Sequence, residues 1–458
     1  SSWHFLSKIK TLLVFMNNKI KYYIIKCRKL VMRLLCFRQL LFSRKVLNLL
    51  EAEKETPENI KAFVNYRLNL ILDSAGSNAL FYRRNKGNGL MDFPVVDKKI
   101  IRENMDDFIN LKCPFYNRFK FNTGGSTGEP FVFYANRLSG YIDAIHQRFL
   151  HKKIGYIRGD KIFSIDGTII PDNLQKKHIY WVKSDSSDAV FGSYAYSALS
   201  ISPESIPYIL ESFEREKPAI LRGYPSALCE IAEFMLKSDY QVGFKLKGIV
   251  LTAENVMEKH IHLLNEAFHA PVYGQYGHSE KCIFAYTEAN SLSYICSSYY
   301  GFVEILNERN DHVKIGEVGR IIVSSYYNDA MYFLRYDTGD LAEYGGVDKN
   351  GNVILTTIIG RKQDFIYDIK KRRINITALI FGQHFHAFEN IVRWQIIQLE
   401  FGKVEIKIIK SDCYTERDEL EIKKQFFLMG FEIVFFYVND IPLTPRGKYR
   451  LVKQMLDI

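Results

Sequence analysis

The first 50 residues carry apolar side chains at intervals of three and four, with basic side chains between them. This spacing is typical of an amphipathic helix, because residues three and four apart lie on the same helical face. The apolar positions of the predicted face are Leu6, Ile9, Leu13, Met16, Ile20, Ile24, Cys27, Val31 and Leu34. The pattern therefore predicts a helical segment at this end of the chain.

Between residues 51 and 251, helical patterns alternate with short apolar runs. Helices are predicted over Glu51–Leu72, Leu138–Lys153, Ser202–Glu216 and Ser226–Ser238. Ser202 is a suitable N-cap, and Pro203 suits the first helical position. The apolar runs, predicted as buried strands, are Lys161–Ile165, Ala219–Leu221 and Gly248–Leu251. This alternation predicts an α/β fold with a mostly parallel sheet.

The pattern changes after residue 299, where strands and turns replace the alternation. Strands predicted over Gly301–Leu306, Gly319–Ser325 and Leu341–Tyr344 indicate a β-rich subdomain. A small α/β unit is predicted after residue 360. Its predicted helices are Ile374–His386 and Glu416–Met429, and its predicted strands are Ile391–Glu400, Val404–Lys410 and Phe431–Val438. We therefore expect a helical segment 1–55, a large multi-layer α/β domain 56–360 and a small α/β domain 361–458.

The net charge of the chain is concentrated in residues 1–50. The 458 residues include 62 Lys and Arg against 51 Asp and Glu, and residues 1–50 hold eleven basic residues and no acidic one. The rest of the chain is neutral overall, so the basic excess gives no reason to expect nucleic-acid binding. Two interpretations of the basic segment stay open. It is an interfacial helix on anionic lipid or a membrane-bound partner, or an arm packed on the protein's own large domain.

Neither a membrane span nor a secretion signal is predicted. The longest early uncharged stretch, Thr11–Asn18, is far too short to cross a bilayer, and no clear cleavage site follows it. The seven cysteines are scattered without a C-x-x-C pair, which fits free thiols in a reducing cytoplasm. Cys282, Cys296 and His278 match no zinc spacing. We expect a cytoplasmic protein, with peripheral contact to the inner face of the membrane as an open alternative.

A glycine-rich stretch, Asn122–Pro130, separates the strand-like runs Tyr116–Phe121 and Phe131–Tyr134. Its glycines allow tight turns and let backbone N–H groups approach an anion, and its hydroxyl side chains add donors. It is not a Walker A loop, because no Gly-Lys-Ser/Thr follows, and its glycines are not spaced G-x-G-x-x-G. On these residues alone, a phosphate-binding loop and a Ser/Gly-rich hairpin loop are equally supported.

Four later stretches follow in the order of the short motifs of the adenylate-forming (ANL) superfamily, which includes acyl-CoA synthetases, peptide-synthetase adenylation domains and luciferases. They are Tyr273–Glu280, Leu334–Leu341, Gly360–Ile366 and Pro442–Arg450. With the glycine loop, they resemble the family's phosphate, adenine, ribose, hinge and lysine motifs, and the resemblance covers about residues 90–458. It implies a large domain with a small mobile C-terminal cap, which uses ATP and Mg²⁺ to activate a carboxylic acid as an acyl adenylate.

The resemblance also implies a role for individual residues. Those implied in phosphate binding are Thr123, Gly124, Gly125, Ser126, Thr127, Gly128 and Ser279. Those implied in nucleotide binding are Thr252, Ala253, Glu254, Tyr276, Gly277, Asp340 and Arg361. Within this set, Tyr276 would stack on adenine and Asp340 would bind the ribose. Glu280 is implied as the magnesium ligand, Glu280 and Lys448 as catalytic residues, and Tyr224 and His278 as contacts to the acid.

The sequence departs from the family pattern at two places. Phe131 stands where relatives often have a lysine after the glycine loop, so the cation must come from elsewhere, and Lys448 is our candidate. Gln363 stands where the hinge motif usually has aspartate, and the basic run Lys370–Arg373 blurs the residues that follow. The identity of the hinge residue is therefore left open.

Three weaker signals resemble the phenylacetate–CoA ligase relatives and their CapK-like group, which is associated with capsule and O-antigen synthesis. They are Phe93–Lys99, Arg222–Ser226 and Trp394–Gln398. Three functions follow from the resemblance. The first is a ligase that joins a small carboxylic acid to an amine during surface polysaccharide synthesis, with the acceptor (amine, sugar or CoA) left open. The others are an aryl- or acyl-CoA ligase and a degenerate, non-catalytic binding subunit, and the retained Glu280, Asp340 and Lys448 favour the enzymes.

Overall fold

The computed structural model describes residues 37–51, 56–85, 89–122, 131–184, 190–361, 365–375, 387, 390–428, 430–444 and 449–456. Most of the basic segment, residues 1–36, lies outside this part of the chain, so its role stays a prediction. Its last part, Phe37–Glu51, is helical and packs on the helix Arg137–Lys153 of the large domain. Val46 is fully buried in that contact, and the Glu51 carboxylate lies 2.7 Å from the Lys152 ammonium.

Helices of the described residues are numbered in chain order. They are α1 (Phe37–Glu51), α2 (Pro57–Asn78), α3 (Leu80–Arg84), α4 (Lys98–Glu103), α5 (Met105–Phe108), α6 (Arg137–Lys153), α7 (Asp172–Gln175), α8 (Ile206–Glu216), α9 (Pro225–Lys237), α10 (Glu258–Phe268) and α11 (Glu416–Leu428). Short 3₁₀ turns occupy Leu90–Asp92, Phe115–Asn117 and Ala198–Ser200. No helix in the described ranges combines the length and apolar character that a membrane span requires.

Strands are numbered in the same way. They are β1 (Phe119–Asn122), β2 (Val132–Ala135), β3 (Ile162–Asp166), β4 (Trp181–Lys183), β5 (Tyr194–Ser197), β6 (Ile220–Gly223), β7 (Gly248–Thr252), β8 (Val272–Gly277), β9 (Phe284–Thr287), β10 (Tyr294–Cys296), β11 (Gly301–Leu306), β12 (Val318–Ser325), β13 (Tyr336–Val347), β14 (Val353–Arg361), β15 (Phe365–Tyr367), β16 (Arg373–Asn375), β17 (Ile391–Glu400), β18 (Lys403–Lys410), β19 (Glu432–Tyr437) and β20 (Val452–Gln454).

Twelve strands form one continuous sheet, in the order β11-β12-β13-β14-β10-β9-β8-β7-β6-β3-β5-β4. The adjacent strands β5, β3, β6, β7 and β8 run parallel, as the alternation of strands and helices predicted. The other pairs of the sheet are antiparallel, so the mostly parallel sheet that we expected is correct only for this central part. The α/β fold is confirmed, and the β-rich region extends the same sheet.

Helices cover both faces of the parallel strands. On one face α8, α9 and α10 pack on the sheet, and Leu221 of β6 lies in that core. On the other face α6 packs on the sheet, and Ile220, the neighbour of Leu221, lies in that second core. Successive side chains of a strand point to opposite faces, so a strand that is covered on both sides is a nearly continuous apolar run. This explains why the short apolar runs of the sequence are strands.

The C-terminal part of the chain folds around its own four-stranded sheet, in the order β19-β18-β17-β20. The helix α11 packs on this sheet over a core that includes Trp394, Ile406 and Phe426. The sequence did not predict β20, which spans only three residues. It pairs in parallel with β17 through Ile396 and Val452, and so brings the chain back beside the strand that begins the sheet.

Three predicted helices have a wrong boundary. The helix expected over Glu51–Leu72 begins at Pro57 and continues to Asn78, and Glu51 is the last residue of α1. The helix expected from Ser202 begins instead at Ile206, because Ser202 and Ser205 exchange side-chain and backbone hydrogen bonds and close a separate turn. The helix expected over Ile374–His386 is incorrect at its start, where β16 pairs antiparallel with β15 through Ile374 and Ile366. Residues 376–386 lie outside the described residues.

Gly301 offers a test of how tightly the sheet is packed beside the second motif. A Cβ atom at this position would lie 2.1 Å from the backbone oxygen of Cys282. We expect Gly301→Ala to destabilise the protein by about 1–3 kcal/mol, since backbone cannot move aside as a flexible side chain can. The measurement is the midpoint of urea unfolding. The matched control is Gly89→Ala, where no atom lies within 4 Å of the added Cβ, and equal midpoints for the two variants would contradict the expected clash.

Candidate active site

Glu280 lies in the turn that follows β8, and its carboxylate is the centre of the candidate site. It is 2 % exposed. The Tyr336 hydroxyl donates a 2.8 Å hydrogen bond to Oε1, and the Lys98 ammonium lies 3.6 Å from the same oxygen. The His278 Nδ1 atom lies 3.2 Å from Oε2. The buried carboxylate is therefore surrounded by a hydroxyl donor, an ammonium and an imidazole.

These neighbours decide the charge of Glu280. Burial by itself raises the pKa of a carboxyl group, but His278, Lys98 and Tyr336 together outweigh burial and hold the pKa of Glu280 below its usual range. Burial also raises the pKa of Tyr336 well above its ordinary value, so this phenol stays protonated and can donate its hydrogen bond to Glu280. Glu280 is consequently an anion at neutral pH, although almost no water reaches it.

An anionic Glu280 fits the type of magnesium site in which the protein supplies one or two carboxylates and the substrate phosphates supply further oxygens. A site made entirely by the protein does not fit, because the described residues contain no cluster of three or more His, Cys, Asp or Glu that could hold a metal ion. Glu280 would therefore act as a single carboxylate ligand, together with a phosphate-bearing substrate.

Tyr276 and Asp340, the residues implied for adenine and ribose, are in direct contact. The Tyr276 hydroxyl donates a 2.7 Å hydrogen bond to Oδ2 of Asp340. Asp340 lies in β13, directly after Gly339, whose φ of +80° bends the strand in a conformation that favours glycine. The backbone N–H of Asp340 also donates to the Thr338 hydroxyl at 3.1 Å. The structure thus joins the second and third motifs through one side-chain contact.

Lys98 is the site residue whose role the sequence did not predict, although it belongs to the recognised stretch Phe93–Lys99. Asp97 caps the N-terminus of α4, which begins at Lys98. Val96 is hydrogen-bonded at both backbone groups to the start of β13 and the residue before it, accepting from Asp337 at 2.8 Å and donating to Arg335 at 3.0 Å. These contacts hold Lys98 beside Glu280. The Lys98 ammonium also lies 6.0 Å from the centre of the Phe131 ring.

Phe131 itself is part of the core. It is 1 % exposed, and its ring stacks on Phe133 with centroids 6.0 Å apart and an interplanar angle of 17°. The cation that relatives often place at this position is absent from the sequence, but Lys98 brings an ammonium to the same region. Lys98 therefore joins Lys448 as a candidate source of positive charge.

Glu254, implied in nucleotide binding, contacts the C-terminal part of the chain. Its Oε1 atom accepts the backbone N–H of Tyr449 at 2.9 Å, and both carboxylate oxygens accept from Ser226 at 3.0 Å. Arg393 lies 3.3 Å from Glu230 in the same interface. Tyr449 directly follows Lys448, so Glu254 holds one end of the lysine motif against the large domain. Whether Glu254 also contacts a nucleotide stays a prediction.

The remaining predicted nucleotide residues occupy the adjoining strand ends. The Thr252 hydroxyl donates to Gln275 at 2.9 Å, and Ala253 is exposed with a φ of +69°. Gly277 and Ser279 are both exposed beside Glu280 and accessible to a ligand. Their proximity to Glu280 follows from the sequence, whereas the Thr252 contact comes from the pairing of β7 with β8.

Tyr224 and His278, the predicted acid contacts, lie at different strand ends. Tyr224 is 8 % exposed, and its hydroxyl accepts the backbone N–H of Gly167 at 3.2 Å. The His278 ring lies edge-on to Tyr336 with centroids 6.0 Å apart. Its Nε2 atom is buried without a hydrogen-bond partner among the described residues. His278 is thus a polar group at the edge of the site, with capacity to bind a ligand.

Several predicted residues lie outside the described part of the chain. They are Thr123, Gly124, Gly125, Ser126, Thr127, Gly128 and Lys448, and the Arg361 side chain. The strands that flank the glycine loop, β1 and β2, pair antiparallel through Asn122 and Val132. The backbone of Arg361 pairs with that of Asp340 in the main sheet. The roles of these residues stay predictions.

Comparisons with known proteins agree with this architecture. Residues 369–455 match the CapK C-terminal domain family. The chain is 26 % identical over 369 residues to Protein CapK of Staphylococcus aureus, and the match covers 78 % of each protein. The resemblance to the adenylate-forming superfamily and its CapK-like branch is confirmed.

The fold is also similar to solved structures. A 2-hydroxyisobutyryl-CoA ligase in the postadenylation state, in complex with 2-HIB-AMP, superposes with a TM-score of 0.66 at 17 % identity, covering 87 % of this chain and 90 % of the ligase. An acyl acid amido synthetase in complex with 2,4-DB superposes with a TM-score of 0.59 at 15 % identity, covering 91 % and 94 %. At these identities the likeness shows a shared fold.

Proposed function

We propose that this chain, a CapK-like protein of the adenylate-forming superfamily, is an ATP-dependent ligase that activates a carboxylic acid as an acyl adenylate. The main support is that two contacts between residues of different motifs lie close together, at the carboxyl end of β8 and beside β13. One pair is the ionised, buried Glu280 with Lys98 3.6 Å away, and the other is Tyr276 bound to Asp340 at 2.7 Å. A degenerate binding subunit would have no reason to keep a buried anion, which is costly without a function.

In the proposed first step, a carboxylate oxygen of the acid attacks the α-phosphorus of ATP. The bond from this phosphorus to the bridging oxygen breaks, and pyrophosphate leaves with the electron pair. No proton has to be moved, so the protein contributes mainly positioning and charge stabilisation. Lys98 and Lys448 are the cations we assign to the phosphates, and Tyr276 and Asp340 position the adenosine.

Glu280 is the residue that we propose to hold Mg²⁺ when ATP is bound, and the ion would supply neutralisation of phosphate charge. The residues present fit this role, since Glu280 is already ionised before any ligand arrives. Tyr336 and Lys98, which contact Glu280, keep the carboxylate oriented in the protein alone.

In the proposed second step, a nucleophile on the acceptor attacks the acyl carbonyl, and AMP leaves. We favour an amine or a sugar of a surface polysaccharide precursor as the acceptor. The match of residues 369–455 to the CapK C-terminal domain family and the 26 % identity to Protein CapK over 369 residues support this choice over an aryl or acyl-CoA product. We place the reaction in the cytoplasm, with the basic segment 1–50 as the contact to the inner face of the membrane or to a membrane-bound glycan precursor.

The test is ATP–pyrophosphate exchange with a panel of small carboxylic acids, followed by AMP release with and without CoA. We expect exchange that depends on one class of acid, and AMP release that does not require CoA but rises with an amine or amino sugar. Absence of exchange with every acid would contradict a ligase. Release of AMP that requires CoA would instead identify an acyl-CoA ligase.

A further inference from the structure

Polar side chains interrupt the apolar layer between α6 and the parallel strands. The layer contains Ile162, Ile220 and Val250 from the sheet and Ile145 and Leu150 from the helix. Arg222 follows Ile220 by two positions on β6, so it points to the same face, one step closer to the carboxyl end of the strand. In parallel α/β sheets this end is where ligands bind. A charged side chain beneath a helix at this position therefore calls for an explanation.

Arg222 has no counter-ion within 4.0 Å among the described residues. Its closest polar contact is a weak one, 3.5 Å from Nη2 to Oε1 of Gln275, and its guanidinium lies 5.9 Å from the centre of the Phe191 ring. The Nε atom is buried and has no hydrogen-bond partner in the described ranges. A guanidinium stays protonated in proteins, so Arg222 is a half-buried positive charge with an unused Nε donor.

The two acidic residues whose charges act on Arg222, Asp166 and Asp143, are bound to other groups. Asp143 forms a 2.6 Å ion pair with Lys281 and accepts a 3.1 Å hydrogen bond from Tyr300. One oxygen of Asp166 accepts the backbone N–H of Thr168 at 3.0 Å. Neither carboxylate forms an ion pair with the guanidinium within 4.0 Å, although the charges of both act on it.

Gln147 and His151 follow Asp143 at intervals of four on the same face of α6, and they supply no second anion. His151 is close enough for the charge of Arg222 to act on it, and burial, helped by that charge, lowers the pKa of His151 to about 3, so its ring is neutral. Gln147, one turn before His151, is 2 % exposed, and its Oε1 atom is buried without a partner in the described residues. Arg222 thus has no ion-pair partner within 4.0 Å among the described residues, and the negative charges that act on it are those of Asp166 and Asp143.

This position is within reach of the candidate active site. Arg222 is in register with Val250 of β7 and, through it, with Tyr273 of β8, and Tyr276 lies three residues further along β8. Two strand spacings and three residues put the two backbone positions about 14 Å apart. The Arg222 guanidinium spans part of this distance, since its Nη2 atom lies 3.5 Å from Oε1 of Gln275, the residue before Tyr276. An extended acid whose carboxylate reacts beside Tyr276 and Glu280 can therefore direct its other end toward Arg222.

We propose that the acid substrate carries a second anionic group, such as a second carboxylate, and that Arg222 is the residue that binds it. The inference rests on the proposed function and adds the class of acid. A bidentate pair between guanidinium and carboxylate would use the unpaired Nε donor and give Arg222 a direct ion-pair partner. Arg222 is then a specificity-determining residue rather than part of the adenylating machinery.

The test compares acids of equal chain length that differ only in the distal group, for example adipate with hexanoate and suberate with octanoate. In ATP–pyrophosphate exchange we expect kcat/KM for the dicarboxylates to exceed that for the monocarboxylates by about 10- to 100-fold. In Arg222→Gln this preference should disappear through a higher KM for the dicarboxylates. Arg222→Lys should keep part of it, because the charge remains.

Acid binding in the absence of ATP, followed by calorimetry, separates this inference from the proposed function. Binding of a dicarboxylate to the wild type that is lost in Arg222→Gln supports the anion site even if no exchange occurs. Equal binding of both acid types to the wild type, or a dicarboxylate preference that Arg222→Gln retains, overturns it. If Arg222→Gln does not fold, the comparison uses the wild type and Arg222→Lys. Equal use of both acid types by the wild type, with the same selectivity in Arg222→Lys, then overturns the proposed role of Arg222.

Discussion

Replacing Lys448 with alanine is expected to lower the rate of acyl-adenylate formation by about 10²–10³-fold while ATP affinity changes little. The reason is that a lysine ammonium at the α-phosphate is most useful when the acid oxygen and the phosphorus join and negative charge concentrates there. ATP in its ground state is held by other groups, including Lys98 by our assignment. The measurements are ATP–pyrophosphate exchange and titration with ATP.

The structure supports this prediction through the residue that follows. The backbone N–H of Tyr449 donates to Glu254 at 2.9 Å, and this contact ties the lysine motif to the large domain. A matched control is Lys453→Ala, since Lys453 is an exposed lysine on β20 in the same small domain. We expect this control to adenylate at the wild-type rate. Normal adenylation by Lys448→Ala would show that the catalytic role assigned to Lys448 is wrong.

Replacing Glu280 with glutamine is the second change for which we expect a large effect, a fall in ATP–pyrophosphate exchange of about 10²-fold or more. Glutamine has nearly the same shape and still accepts a hydrogen bond from Tyr336, but it lacks the charge that we assign to the magnesium ion. The loss should be accompanied by weaker dependence of the residual rate on magnesium concentration, which is the second measurement.

The control for Glu280 is Glu288→Gln. Glu288 is 58 % exposed on its side chain and pairs with Lys153 at the surface, where an ion pair contributes little. We expect wild-type exchange from this variant. A urea unfolding curve is needed for Glu280→Gln, because the change also leaves Lys98 and His278 without their anionic neighbour. A folded Glu280→Gln protein with normal exchange would remove Glu280 from the mechanism.

Much of the fold followed from the sequence because it depends on local patterns. The helices α6, α9 and α11 and the strands β3, β17 and β18 were predicted within a few residues, since their apolar spacing matches the layer that covers them. Errors arose where a side chain competes with the helix backbone, as in the turn at Ser202, and where residues pair across a hairpin, as Ile374 does with Ile366.

The motif residues were also visible in the sequence, but their contacts were not. Glu280 and Asp340 could be recognised from the short stretches around them, because a motif is a local pattern of residue types. The hydrogen bond from Tyr276 to Asp340 requires β8 and β13 to approach within one sheet, and no local pattern encodes that approach.

The sequence by itself determined the family resemblance, the alternation of helices and strands and the residue types available for chemistry. Only the tertiary structure decided which charges meet. Lys98 reaches Glu280 because Val96 is hydrogen-bonded to β13, and Asp143 forms its ion pair with Lys281 rather than with Arg222. Electrostatic interactions act over a few ångströms between residues far apart in the chain, so the topology of the sheet determines them.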